Sequence, residues 1–203
     1  MQEEKLPEEL VQEILRHSIL PSPEVFLNPA SDRASFHSIE SPPSPLGRTK
    51  LLLVSKRWLR IGTPLMYKSI WLSSSSHTRT VANLFSSHQH LGESVVDLRL
   101  DGGFDEELYK LIMYAANIKN VYLAWNVRPT DSIKGLLKVL PSLSPETLYL
   151  GYHRFGIGAR ERSNELVALL GLCISEKWLS LVRRIALNTR ARLDTKLSVF
   201  MHV

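Results

Sequence analysis

Val95-Val96-Asp97-Leu98-Arg99-Leu100 and Asn120-Val121-Tyr122-Leu123-Ala124 share one short pattern. In each, two apolar residues flank a single intervening residue: Leu98 and Leu100 around Arg99, Val121 and Leu123 around Tyr122. In an extended chain that spacing puts the pair on one face and the intervening residue on the other. The same frame returns at Thr147-Leu148-Tyr149-Leu150 and Arg184-Ile185-Ala186-Leu187, and occurs earlier at Ser69-Ile70-Trp71-Leu72. From Ile70 to Leu98 is 28 residues, to Val121 a further 23, to Leu148 a further 27 and to Ile185 a further 37. Helical patterning fills the intervals at 78–90, 105–117, 131–140 and 164–179, with Asp105 and Asp131 as N-caps.

A strand–helix unit recurring every roughly 20–29 residues is the period of leucine-rich repeats. Simple β/α alternation in an open parallel sheet leaves a similar trace. Short units with no nucleotide-binding fingerprint favour the solenoid. The long last interval places its excess in a loop at 153–163. The chain ends at Val203 without the polar cap that solenoids need, so this segment is expected to be incomplete.

Working towards the N-terminus, Leu6-Pro7-Glu8-Glu9 opens a helix. Proline fits the first helical position, and the two glutamates suit the positive end of the helix dipole. Leu6, Leu10 and Ile14 form an apolar stripe flanked by Val11 and Leu15. From Pro21 to Thr49 the periodicity is lost among prolines and serines, which predicts a disordered loop in which Phe26, Phe36 and Ile39 are the apolar residues able to dock. Helical spacing resumes at Lys50 with Leu51, Val54, Trp58 and Ile61; Gly62 is expected to end that helix and Pro64 to start a short turn.

Leu6-Pro7-Glu8-Glu9-Leu10-Val11-Gln12-Glu13-Ile14-Leu15 resembles the first helix of an F-box. Leu53-Val54-Ser55-Lys56-Arg57-Trp58 resembles the second, and Thr63-Pro64-Leu65-Met66-Tyr67-Lys68-Ser69-Ile70 the close of the module in fungal members. The insert at 21–49 departs from the family, in which these helices are joined by a few residues. Loop closure adds only about 0.6 kcal/mol per doubling of length, so a long insert is tolerable. The resulting expectation is an α/β protein in two parts. Residues 1–72 form a three-helix F-box-like module, and residues 73–203 a short leucine-rich-repeat-like solenoid with a parallel sheet.

The resemblance implies a substrate receptor of a cullin–RING (SCF-type) ubiquitin ligase. It would bind a Skp-type adaptor through Leu6, Pro7, Leu10, Ile14, Val54 and Trp58. A small helical unit cannot bury all of these within itself. An unidentified protein substrate would bind the outward sheet positions: Asp97, Arg99, Asn120, Tyr122, Thr147, Tyr149 and Arg184. Tyrosine and arginine are enriched at binding hot spots. The rival readings are a repeat scaffold outside any ligase and a nucleic-acid binder.

The formal charge of +5 bears on the last rival. Residues 1–153 sum to zero, and the whole excess lies in 154–203. No nucleic-acid motif accompanies it. Enzyme signatures are also missing. Gly156-Ile157-Gly158 lacks the third glycine of a dinucleotide fingerprint, and His88-Gln89-His90 has no companion ligand cluster. No nucleophile–base pair is legible, and no cofactor is implied. The single Cys173 sits in an apolar run and reads as core. The acidic start lacks the features of a signal peptide, and the run at 166–174 is far shorter than the roughly 20 apolar residues of a membrane span. The expected location is cytosol or nucleus.

Overall fold

The computed structural model describes residues 6–21, 26, 45–124, 132–151, 166, 168–173 and 184–188. The element order opens with helices α1 at Glu8–Ile19, α2 at Pro45–Leu52 and α3 at Lys56–Tyr67. The strand–helix alternation follows: β1 at Ser69–Leu72, α4 at Ser75–Ser87, α5 at Gln89–Glu93, β2 at Asp97–Leu100, α6 at Glu106–Tyr114 and β3 at Asn120–Ala124. Then come α7 at Lys134–Val139 with a closing 3-10 turn at Leu140–Ser142, β4 at Thr147–Gly151 and β5 at Arg184–Asn188. The strands form one five-stranded sheet in sequence order, every neighbouring pair parallel. The chain is therefore mixed α/β, as the repeating frame predicts.

Register is the firmest agreement. Ile70, Leu98, Val121, Leu148 and Ile185 stand in one row across the sheet, and Leu72, Leu100, Leu123, Leu150 and Leu187 in another. Burying the apolar pairs of β1 to β4 under a common helical layer fixes this register, because a slip of one residue would turn every such pair outward. Phe85 of α4, Leu108 and Leu111 of α6 and Leu136 of α7 complete this core with Phe104. Asp105 caps α6, its Oδ1 accepting from the Glu107 amide at 3.2 Å.

Three local expectations fail for identifiable reasons. The helix expected from Lys50 is broken: α2 stops at Leu52, and Ser55 is extended (φ −161°, ψ 163°) with its hydroxyl accepting from the Trp58 amide. Serine competes for backbone hydrogen bonds and so starts helices better than it continues them. Gly62 does not end a helix; α3 runs through it and through Pro64 to Tyr67. A Cβ at Gly62 would collide with Leu52 and crowd Leu15 at 3.3 Å, so the glycine lets α1 and α2 close onto α3. Third, Pro7 is the residue before α1, one position earlier than expected, and its carbonyl accepts from the Val11 amide.

The stretch 21–49 is also not loop throughout, since residues 45–49 belong to α2. Phe36, Ile39, the loop at 153–163 and the Asp131 cap lie outside the described residues.

Candidate functional site

Two surfaces emerge from the predicted site residues. The first lies on the N-terminal helices. On α1, Val11, Leu15 and Ile19 are buried against Leu52, with Trp58, Ile61, Leu65 and Met66 packed around them. The neighbouring stripe faces outward: Leu6 is 50% exposed, Leu10 52% and Ile14 43%. Glu8 pairs with both Arg57 and Arg60, which sets the first turn of α1 beside the first turn of α3. Val54 is 62% exposed at the α2–α3 corner, and Pro7 is exposed as well. Of the six expected docking residues, only Trp58 is largely committed to the protein's own core. Leu53 and Leu59 are further exposed apolar residues of these helices that the sequence pattern did not single out. Leu53 lies just past the end of α2 at Leu52 and is 79% exposed.

The second surface is the sheet face opposite α4–α7. Parallel register aligns Ser69, Asp97, Asn120, Thr147 and Arg184 in one row, and Trp71, Arg99, Tyr122, Tyr149 and Ala186 in the next. Tyr122 and Tyr149 are therefore on adjacent strands and share this face, as the frame predicts. The polar row is linked through Asp97. Ser69 Oγ donates to its Oδ2 at 2.8 Å and Asn120 Nδ2 donates to its Oδ1 at 2.7 Å.

The second row centres on Arg99. Its guanidinium lies over the Trp71 ring at 4.3 Å and the Tyr122 ring at 4.8 Å. A planar, weakly hydrated cation suits such a sandwich better than an ammonium would. Nε donates to Asp101 Oδ2 at 2.9 Å, with Nη2 at 2.8 Å from the same oxygen. Nη1 donates to the carbonyl of Phe26 at 3.2 Å. Phe26 is itself buried, in a cluster with Tyr122 and Ala124 against which Trp71 and Tyr149 pack.

This geometry corrects one expectation. Arg99 and Tyr122 are only 3% and 1% exposed, so they do not form an open recognition strip. Asp97, Asn120, Thr147 and Tyr149 remain partly accessible; the side chain of Arg184 lies outside the described residues. Burial raises the Tyr122 phenol well above its ordinary range; the Asp101 carboxylate adds to this and Arg99 opposes it. Gly151 makes room for this ring, since a Cβ there would strike the Tyr122 hydroxyl. Trp71 and Asp101 were missed as partners, although both follow the alternation of their strands. Phe26 lies 73 residues before Arg99, and no periodicity could have linked them.

The site offers recognition chemistry: stacked rings, a neutralised cation and a few polar side chains. Among the described residues there is no group of His, Cys, Asp and Glu able to hold a metal, and no helix long and apolar enough to cross a membrane. No family model, curated protein or solved structure matches the chain.

Proposed function

We propose that this protein is a substrate receptor of a cullin–RING ubiquitin ligase, with an F-box-like module on α1–α3 and a leucine-rich-repeat-like sheet beyond it. The observation that carries the reading is the set of exposed apolar side chains on this helical unit, Leu6, Leu10 and Ile14 along α1 and Leu53 and Val54 at the α2–α3 corner, left uncovered beside a small, well-filled core. Several large apolar side chains on one helical unit mark a protein interaction surface. These residues fall in the segments that resemble the F-box, so the Skp-type adaptor is the partner that fits. The protein supplies binding, and the other ligase subunits supply ubiquitin transfer.

The test is co-purification of the full chain with a Skp-type adaptor. Wild type is expected to bind and Ile14→Asp to fail, because docking would bury an unpaired carboxylate. Absence of binding by a folded wild-type chain would overturn the reading and leave the scaffold alternative.

A further inference from the structure

We propose that the outer sheet face is a binding site for an aromatic residue of a protein ligand, whose main-chain carbonyl is taken by Arg99, and that Phe26 is its internal occupant. The inference deepens the substrate-receptor reading and rests on it for the identity of the binding face.

Three observations converge. First, the two faces of the sheet differ in kind. The helix side is filled mainly by aliphatic side chains, whereas the outer side carries Trp71, Arg99, Tyr122 and Tyr149 in one continuous row. Second, Phe26 meets this row in the way a peptide would. It contributes one apolar ring to the aromatic cluster and one carbonyl to Arg99 Nη1. What Phe26 presents to this face is its carbonyl and its ring. Third, the charge of Arg99 is already matched by Asp101 at 2.8 Å. The pair leaves a directional donor and no net charge, which selects a neutral carbonyl over a phosphate or carboxylate. Trp71 Nε1 is a further buried donor on this face without a partner among the described residues.

An internal occupant competes with an external one. A tethered segment acts at a high effective concentration, so an outside ligand sees only the fraction of molecules in which Phe26 has left. The receptor would thus favour ligands whose aromatic anchor outbids its own.

The experiment uses a fluorescent synthetic peptide of residues 20–32, titrated into the full-length chain and followed by anisotropy. Binding to Phe26→Ala is expected to be at least about tenfold tighter than to wild type. It should be lost when the peptide carries Ala in place of Phe26, and weakened when Tyr149→Ala is added to the protein. Phe26→Leu, which retains an apolar side chain, should fall between wild type and Phe26→Ala. Equal affinity for wild type and Phe26→Ala would overturn the proposal, as would no binding to a folded Phe26→Ala. So would unfolding of both Phe26 variants, since Phe26 would then be fixed core. Tighter binding of an acidic peptide than of the aromatic one would also overturn it. Adaptor co-purification from the same preparations separates the two readings: peptide binding without adaptor binding would remove the ligase assignment and leave this site standing.

Discussion

At the scale of single residues, Arg99 holds the outer face together. It joins two rings, a carboxylate and a carbonyl 73 residues away. Replacing it by methionine keeps much of the stem but strips the guanidinium from a buried carboxylate, which should cost about 3–5 kcal/mol in chemical denaturation. Arg99→Lys should recover little, because an ammonium cannot stack or fork in the same way. Gly151→Ala pushes a methyl group into the Tyr122 hydroxyl and should cost about 1–3 kcal/mol by the same measurement. Tyr122 also makes stability depend on alkaline pH. Its folded pKa is raised, so its contribution is complete below the unfolded phenol value of about 10 and is lost as pH rises beyond it. Tyr122→Phe should therefore show a shallower loss of stability above that pH in denaturation series.

Among the elements, α1 carries two adjacent stripes with opposite fates. Leu15 is fully buried while Ile14, one residue away, is 43% exposed. Ile14→Asp should leave the circular dichroism spectrum and melting behaviour close to wild type while removing the adaptor binding proposed above. Leu15→Asp should instead unfold the N-terminal helices, since its carboxylate would enter the core with no partner. The α2–α3 corner depends on one hydroxyl: Ser55 accepts from Trp58, and Ser55→Ala should cost about 1 kcal/mol. Because that corner presents Leu53 and Val54, the same variant should weaken the proposed adaptor binding more than its stability loss alone accounts for, as titration calorimetry would read.

For the whole molecule, the sheet and the N-terminal helices share a boundary. Tyr67, the last residue of α3, meets Phe85 of α4 edge to face at 6.1 Å, and β1 begins two residues later. Aromatic pairs of this geometry add about 0.5–1.5 kcal/mol beyond burial. Phe26 ties residues from the N-terminal half to the opposite side of the sheet. Amide hydrogen exchange should find β2, β3 and β4 slowest, as each is paired on both sides, and β1 faster as a strand paired on one side only among the described residues. Phe26→Ala should speed exchange in β2 and β3 selectively if its docking supports the face they form.

Periodicity carried the sheet. Alternation within Leu98–Leu100, Val121–Leu123 and Leu148–Leu150 was enough to state strands, register and which side each tyrosine takes, because a period of two is a local property of an extended chain. The exposed stripe of Leu6, Leu10 and Ile14 was legible in the same way, through a helical spacing that leaves more apolar side chains than a small unit can cover. The break at Ser55, the passage of α3 through Gly62 and the burial of Arg99 were not legible. The last two depend on groups distant in the chain, Leu15 and Leu52 meeting Gly62 and Phe26 meeting Arg99; the break at Ser55 is local, a serine cap on the Trp58 amide that apolar spacing does not register. A sequence frame tells which way a side chain points, but exposure is set by what else arrives there, and that is decided only when the chain has folded back on itself.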